Sequence, residues 1–233
     1  MINITYHYKN LINFFILRFK LTFFTKYILG LFQKKIIKLV YKKKFKELYS
    51  KGLYSFNWVR DNIYNFLIIQ KMKKLETDRK FKILEIGSFE GYSANIFNKI
   101  FPGHEIYCVD PWSSYSKLGN INFNQIENNF DRNTKNLNIK KFKMSSNDFF
   151  KINEEFFDII YIDGAHDYQS VLSDANNSIK ILRKTGIIFF DDFLSEVDNK
   201  RQIMNAIKVF LESNSSLNLK LIFINSQIGF RLN

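Results

Sequence analysis

From Phe81 onward, short apolar runs alternate with stretches in which apolar residues return every three or four positions. The runs "FKILEIG" (81–87), "EIYCVD" (105–110), "IKKFKMS" (139–145), "FFDIIYID" (156–163) and "GIIFFDD" (186–192) predict strands, most of them buried on both faces. Between them, "YSANIFNKI" (92–100), "FNQIENNFDRNTKNL" (123–137), "YQSVLSDANNSIKILRK" (168–184) and "VDNKRQIMNAIKVFLES" (197–213) carry the helical period. The pattern closes differently, with "LKLIFIN" (219–225) and "IGFRLN" (228–233) separated by a two-residue turn, a hairpin. Strand and helix alternation of this kind predicts an α/β fold: a Rossmann-like, doubly wound, mostly parallel sheet of seven strands with a C-terminal antiparallel hairpin. A further helix over "SFNWVRDNIYNFLIIQKMKKL" (55–75) leads into it.

Upstream of Gly52 the character changes, and the charge belongs there. Residues 1–46 hold 11 of the 35 Lys and Arg and none of the 22 acids; the other 24 basic residues nearly balance those acids, although the whole chain carries +13. The organisation expected is therefore a basic, amphipathic, helical N-terminal segment over 1–52 and one α/β domain over 53–233. Arg18, Lys20 and Lys26 break the apolar runs before a bilayer-spanning length is reached. Two placements fit the Lys34, Lys38 and Lys42 stripe: an anionic membrane surface, or packing on the domain or on a second subunit of a homo-oligomer. The 46% apolar and 17% aromatic content excludes a disordered chain. Cys108 is the only cysteine, so neither an intrachain disulfide nor a cysteine-rich zinc site can form. A cytoplasmic setting, peripheral to the inner membrane face if the stripe is used, is the expectation.

In such sheets ligands sit outside the carboxyl ends of the strands, and there the polar residues collect: Glu85 with Gly87, Asp110, the 144–148 stretch, Asp163, and Asp191 with Asp192. "EIGSFEG" sets Gly87 and Gly91 between a strand and a helix, where backbone can approach a ligand closely. Phe89 stands where the second glycine of a dinucleotide fingerprint belongs, and Glu85 would repel a pyrophosphate but suits an ammonium group. Asp110, at the end of the next strand, can accept both hydrogen bonds of a ribose diol.

Through "ILEIGSFEGYSA", "VDPW", "FDIIYIDGAHDYQSVLSDA" and "GIIFFDDF", residues 80–233 resemble the class I S-adenosylmethionine-dependent methyltransferases. Within them the segment is most similar to metal-dependent sugar O-methyltransferases of macrolide biosynthesis. That resemblance implies that Glu85, Gly87, Ser88 and Gly91 hold the methionine part of the cofactor, Asp110 its ribose, and Ser146 and Asp148 its adenine, with Asp163 beside it. It further implies Asp163, Asp191 and Asp192 as ligands of a divalent cation, Mg²⁺ by their oxygen-only chemistry. Asp163 and His166 are the candidate catalytic pair; His166 suits proton removal from an acceptor hydroxyl, but equally suits packing on the cofactor or capping the next helix. Asp167 reads as a helix N-cap. Trp58, Tyr64, Trp112 and Tyr115 serve either as pocket walls or as core.

The function expected is methyl transfer to a hydroxyl of a sugar or glycan-like small molecule. A non-catalytic membrane scaffold has no need of five acids at one edge. A nucleic-acid methyltransferase lacks here the Asn-Pro-Pro-aromatic type of motif after the fourth strand, so nucleic acid is disfavoured as a partner.

Overall fold

The structure is a computed structural model that describes residues 45–55, 63–74, 79–113, 121–196 and 200–233. The N-terminal expectations for residues 1–44, and Trp58 and Tyr115, lie outside the described residues. In chain order the elements are α1 (Lys46–Lys51), α2 (Ile63–Lys74), β1 (Lys82–Ile86), α3 (Tyr92–Ile100), β2 (Glu105–Asp110), α4 (Phe123–Thr134) and β3 (Ile139–Lys143). There follow α5 (Ser146–Ile152), β4 (Phe157–Ile162), α6 (Tyr168–Lys180), β5 (Leu182–Phe190), α7 (Gln202–Ser213), β6 (Leu219–Ile224) and β7 (Ile228–Leu232).

The seven strands form one sheet in the order β3-β2-β1-β4-β5-β7-β6. β1 to β5 are parallel, and β7 runs antiparallel to both β5 and β6. The Rossmann-like architecture and closing hairpin read from the sequence are thus present.

Alternate strand residues feed two cores. Ile83, Cys108, Tyr161 and Phe189 point to one face, covered by Phe66 of α2, Phe97 of α3 and Phe130 of α4. Leu84, Val109, Ile160 and Ile188 point to the other, covered by Phe149 of α5, Val171 and Ala175 of α6, and Ile207 and Phe210 of α7. Tyr64 packs beside the first core and Trp112 is buried in it, so both are packing residues.

Two boundaries differ from the sequence pattern. The helix expected over 168–184 stops at Lys180, and the strand expected from Gly186 begins at Leu182. Leu182 pairs with Phe157, and the register shifts before Ile159, so "LRKT" is drawn into the sheet edge by pairing that no local period announces. The strand stops at Lys143, Met144 and Ser145 turn the chain, and Ser146 to Asp148 open α5, with the Ser145 hydroxyl accepting the Asp148 amide as an N-cap.

The described end of the N-terminal segment lies on the domain. Phe45 is buried in the first core, and the ring of Tyr54 lies 5.9 Å from that of Tyr49 and 4.7 Å from that of Tyr92. Residues on both sides of the expected 52/53 boundary, from Phe45 to Tyr54, thus pack on the sheet's first core. Among the described residues no helix is long and apolar enough to cross a membrane.

Candidate active site

Period two along the strands explains which acids meet. Glu85, two residues after Ile83, and Asp110, two after Cys108, continue the face covered by α2 to α4, as do Asp163 two after Tyr161 and Asp191 two after Phe189. All four acids stand at the carboxyl edge of the sheet. Asp192, the next residue, turns with φ 49° and faces another way.

The β1–α3 turn is held at several points. Gly87 has φ 85°, and a Cβ there would lie 2.0 Å from the carbonyl oxygen of Asp163, so the ends of β1 and β4 touch backbone to backbone. Phe89 takes the left-handed conformation, φ 45°, that a glycine would adopt freely. Its amide donates to Asp110 (2.9 Å), and its carbonyl accepts the Trp112 indole N–H (2.8 Å). Asp110 also accepts the Trp112 amide (2.7 Å). Burial raises the Asp110 carboxyl above its usual range, against the pull of those amides.

Glu85 is fully buried, and burial pushes its carboxyl up to about 7, opposed by the nearby Ser93 and Ser88 hydroxyls and the Cys108 thiol. Among the described residues, its Oε1 and the Ser88 Oγ are buried and meet no partner in full hydrogen-bond geometry. Two polar atoms left this way beside a glycine turn each carry a desolvation cost of roughly 1–3 kcal/mol. Asp148 is exposed and engaged by Ser145 (2.7 Å) and Lys151 (2.7 Å), the role of a capping partner. Ser146 lies beside the buried Asp174, whose carboxyl burial raises to about 6.

At the ends of β4 and β5, Asp163, His166 and Asp192 bring one ligand atom each to within 4.8 Å of one another. His166 Nε2 is 3.8 Å from Asp163 Oδ1, and its Nδ1 is 3.5 Å from Asp192 Oδ2. Burial works to lower the imidazole, but the carboxylates of Asp163, Asp192 and Asp191 together prevail and raise it. Burial raises Asp163 as well. The sequence places Asp191 in this group, whereas the structure turns it inward and puts His166 there. Consecutive residues at a strand end project to opposite sides, so Asp191 and Asp192 part company. Asp191 Oδ2 accepts from the Tyr161 hydroxyl and from Gln227 Nε2 (3.0 Å), and Gln227 Oε1 accepts from Asn65 of α2 (2.8 Å). Burial raises the Asp191 carboxyl, and the charges of Asp163 and Asp192 add to it. Asp167 caps α6 as its position suggests, accepting the Ser170 amide (3.0 Å).

Tyr161, Gln227 and Asn65 escaped the sequence reading. Tyr161 carried a signal, since it lies on the same strand face as Asp163 and donates to it (3.0 Å). Asn65 and Gln227 carried none, because only the tertiary fold brings α2 and the β6–β7 turn together.

Residues 84–193 match the family described as a methyltransferase domain. The fold is that of the class I methyltransferases. An O-methyltransferase from Bacillus cereus, solved with S-adenosylhomocysteine, has a TM-score of 0.57 at 16% identity, over 90% of this chain and 99% of that one. The S-adenosylhomocysteine-bound methyltransferase PaMTH1 of Podospora anserina gives 0.52 at 17% identity, over 84% and 86%. An uncharacterized protein of Acanthamoeba polyphaga mimivirus is 27% identical over 147 residues, which are 58% of this chain and 65% of that one; the match thus spans just under two thirds of that relative's length. The matched stretch contains Glu85, the glycine turn, Asp110, Asp163, His166 and both aspartates that follow β5.

The raised carboxyls of this domain have a consequence for stability. Glu85 and Asp174 bind protons more tightly folded than unfolded, up to about pH 7 and about pH 6 respectively. Stability is therefore fully present below their ordinary values near 4 and falls as pH rises through 6 and 7. Urea unfolding is expected to show a lower midpoint at pH 7.5 than at pH 5.5, and Asp174→Asn should reduce that difference; a midpoint that rises with pH would contradict the assignment.

Proposed function

We propose that this chain is an S-adenosylmethionine-dependent O-methyltransferase that uses a divalent cation to methylate a hydroxyl of a sugar or glycan-like small molecule. The observation that carries this reading is the meeting, at one sheet edge, of a glycine turn with two unsatisfied buried polar atoms and the Asp163–His166–Asp192 group. Glu85 and Ser88 fit the cofactor's ammonium end, and Asp110 fits its ribose diol, with each carboxylate oxygen able to accept one more bond beyond the amide it already holds. The cofactor supplies a methyl group on a sulfonium, open to in-line attack.

Asp163 and Asp192 would hold the cation together with His166, and a cation there lowers the pKa of a coordinated hydroxyl. A nitrogen in the set widens the choice beyond Mg²⁺ to metals that accept imidazole, Mn²⁺ among them. The carboxylates orient the acceptor by its paired oxygens. Bound to the cation, His166 cannot also take the acceptor's proton; it serves as the base only if Asp163 and Asp192 hold the cation without it. Asp191, hydrogen-bonded to Tyr161 and Gln227, holds the strand end from beneath. The sugar class of the acceptor rests on the resemblance of the "FDIIYIDGAHDY" and "GIIFFDDF" stretches.

The test is S-adenosylhomocysteine release from S-adenosylmethionine across a panel of hydroxylated sugars and catechols. Chelation is expected to lower turnover, and Asp163→Asn to lower it by about 100-fold or more. Full turnover under both conditions removes the cation from the mechanism while leaving methyl transfer in place. Absence of S-adenosylhomocysteine binding by the intact chain removes the whole reading.

A further inference from the structure

Glu90 is the one charged residue between Gly87 and Gly91, and its position invites a role as a ligand of the cofactor. Its contacts point elsewhere. The side chain is 3% exposed. Its Oε2 accepts the Ser55 amide (2.6 Å), and its Oε1 accepts both the Ser55 hydroxyl (2.7 Å) and Asn129 Nδ2 of α4 (2.8 Å). Two residues earlier, Leu53 is gripped in the manner of a strand partner: its amide donates to Asn133 Oδ1 (2.7 Å), and its carbonyl accepts from Asn133 Nδ2 (3.0 Å). The same Asn133 Nδ2 donates to the Glu90 carbonyl (2.9 Å). Residues 53–55 are thus tied to the glycine turn by side chain and by backbone. They are tied at the rear as well, where Tyr54 packs on Tyr92 of α3 and Phe45 lies under the Lys99 ammonium, 5.7 Å from its ring.

We infer that residues 53–55 form a clasp on the cofactor turn, in which Ser55 acts through Glu90 to fix the backbone of residues 88–91, so that Ser55 and Glu90 are positioning residues for cofactor binding. This rests on the reading of that turn as the cofactor's cradle. Asp110 and Trp112 fix Phe89 from the β2 side, in a left-handed conformation that a phenylalanine does not adopt freely. Among the described residues on that side, none is hydrogen-bonded to the Glu90 carboxylate. The clasp supplies the opposing hold, and the next residue, Gly91, opens α3 with φ 77°. With both flanks held, the amides between Gly87 and Gly91 are set before a ligand arrives, and the ordering cost of binding falls. A carboxylate buried with three donors is stiff, and removing one of them loosens it. The clasp also joins the cofactor turn to the residues that follow the basic N-terminal segment.

Isothermal titration of the full chain with S-adenosylhomocysteine tests this. Ser55 is exposed, so Ser55→Ala removes one hydroxyl without opening a cavity. The dissociation constant is expected to rise roughly fivefold, the effect of one hydrogen bond lost from the hold on the turn. The thermal midpoint should fall by no more than about 2–4 °C, the effect of one hydrogen bond, and Ser55→Thr, which keeps the hydroxyl, should restore affinity to within about twofold. Asn133→Ala, which releases Leu53 and the Glu90 carbonyl together, should weaken binding further. Wild-type affinity in both Ser55→Ala and Asn133→Ala overturns the inference, as does a loss in Ser55→Ala that Ser55→Thr fails to repair. Hydrogen exchange at residues 88–91 separates the clasp from the cofactor reading. If the intact chain binds no S-adenosylhomocysteine, faster exchange of those amides in Ser55→Ala still supports the clasp, and unchanged exchange overturns it.

Discussion

Asp110→Ala is expected to weaken S-adenosylhomocysteine binding by about 100-fold or more, since two hydrogen bonds to an ionised group contribute roughly 1.5–3 kcal/mol each. The loss has two sources that act together. The carboxylate is the group proposed to accept the ribose diol. It also accepts the amides of Phe89 and Trp112, and without it the left-handed Phe89 loses the bond that holds it there. Asp110→Asn separates the two sources. The amide keeps an oxygen for one of the backbone donors but loses the charge and the second acceptor, so an intermediate loss is expected. Titration calorimetry measures both variants, and unchanged affinity in Asp110→Ala would remove the cofactor site from this edge.

Gly87→Ala is expected to destabilise the fold by about 2–5 kcal/mol, combining about 1–2 kcal/mol of left-handed strain with about 1–3 kcal/mol of overpacking. The new methyl would sit 2.0 Å from the Asp163 carbonyl oxygen and 2.7 Å from the Gly164 Cα, both backbone atoms with no rotamer to yield. Gly103 provides the control: its φ is similar, 80°, but a Cβ there meets nothing within 4 Å. Gly103→Ala should therefore show the conformational penalty alone, and the difference between the two urea midpoints isolates the collision. Because relief requires β1 and β4 to part, Gly87→Ala should also displace Asp163. Equal midpoints for the two variants would show that the strand ends are not in such close contact.

Much of this architecture could be read from the chain because parallel strands announce themselves twice, as apolar runs and as the acids that end them. The α3 and β2 limits, Tyr92–Ile100 and Glu105–Asp110, coincide with the pattern. The edge acids were legible for the same reason, since an acid directly after a buried strand has few structural excuses. What could not be read was orientation. "FDDF" shows two adjacent carboxylates but not that one turns toward α2 and the other toward His166, a difference set by strand pleat and by the φ of Asp192. Asn65, Gln227 and Asn133 act across the fold from elements distant in sequence, and an asparagine in a chain so rich in asparagine gives no local sign of it. Asp148 shows the same limit from another side, because a residue that caps a helix and one that meets a ligand share the same chemistry.

The placement of β7 between β5 and β6 bears on the order in which the molecule can be finished. During synthesis β5 emerges with one edge paired to β4 and the other, Ile187 to Phe190, open until Ile228 to Arg231 arrive. For roughly forty residues of synthesis that edge is an apolar template for any passing strand. Gln227, at the entrance of β7, reaches Asp191 only when the gap closes. The edge that carries the candidate site and the aggregation-prone edge are therefore completed in the same event, so a slow closing hairpin would delay the one and leave the other exposed.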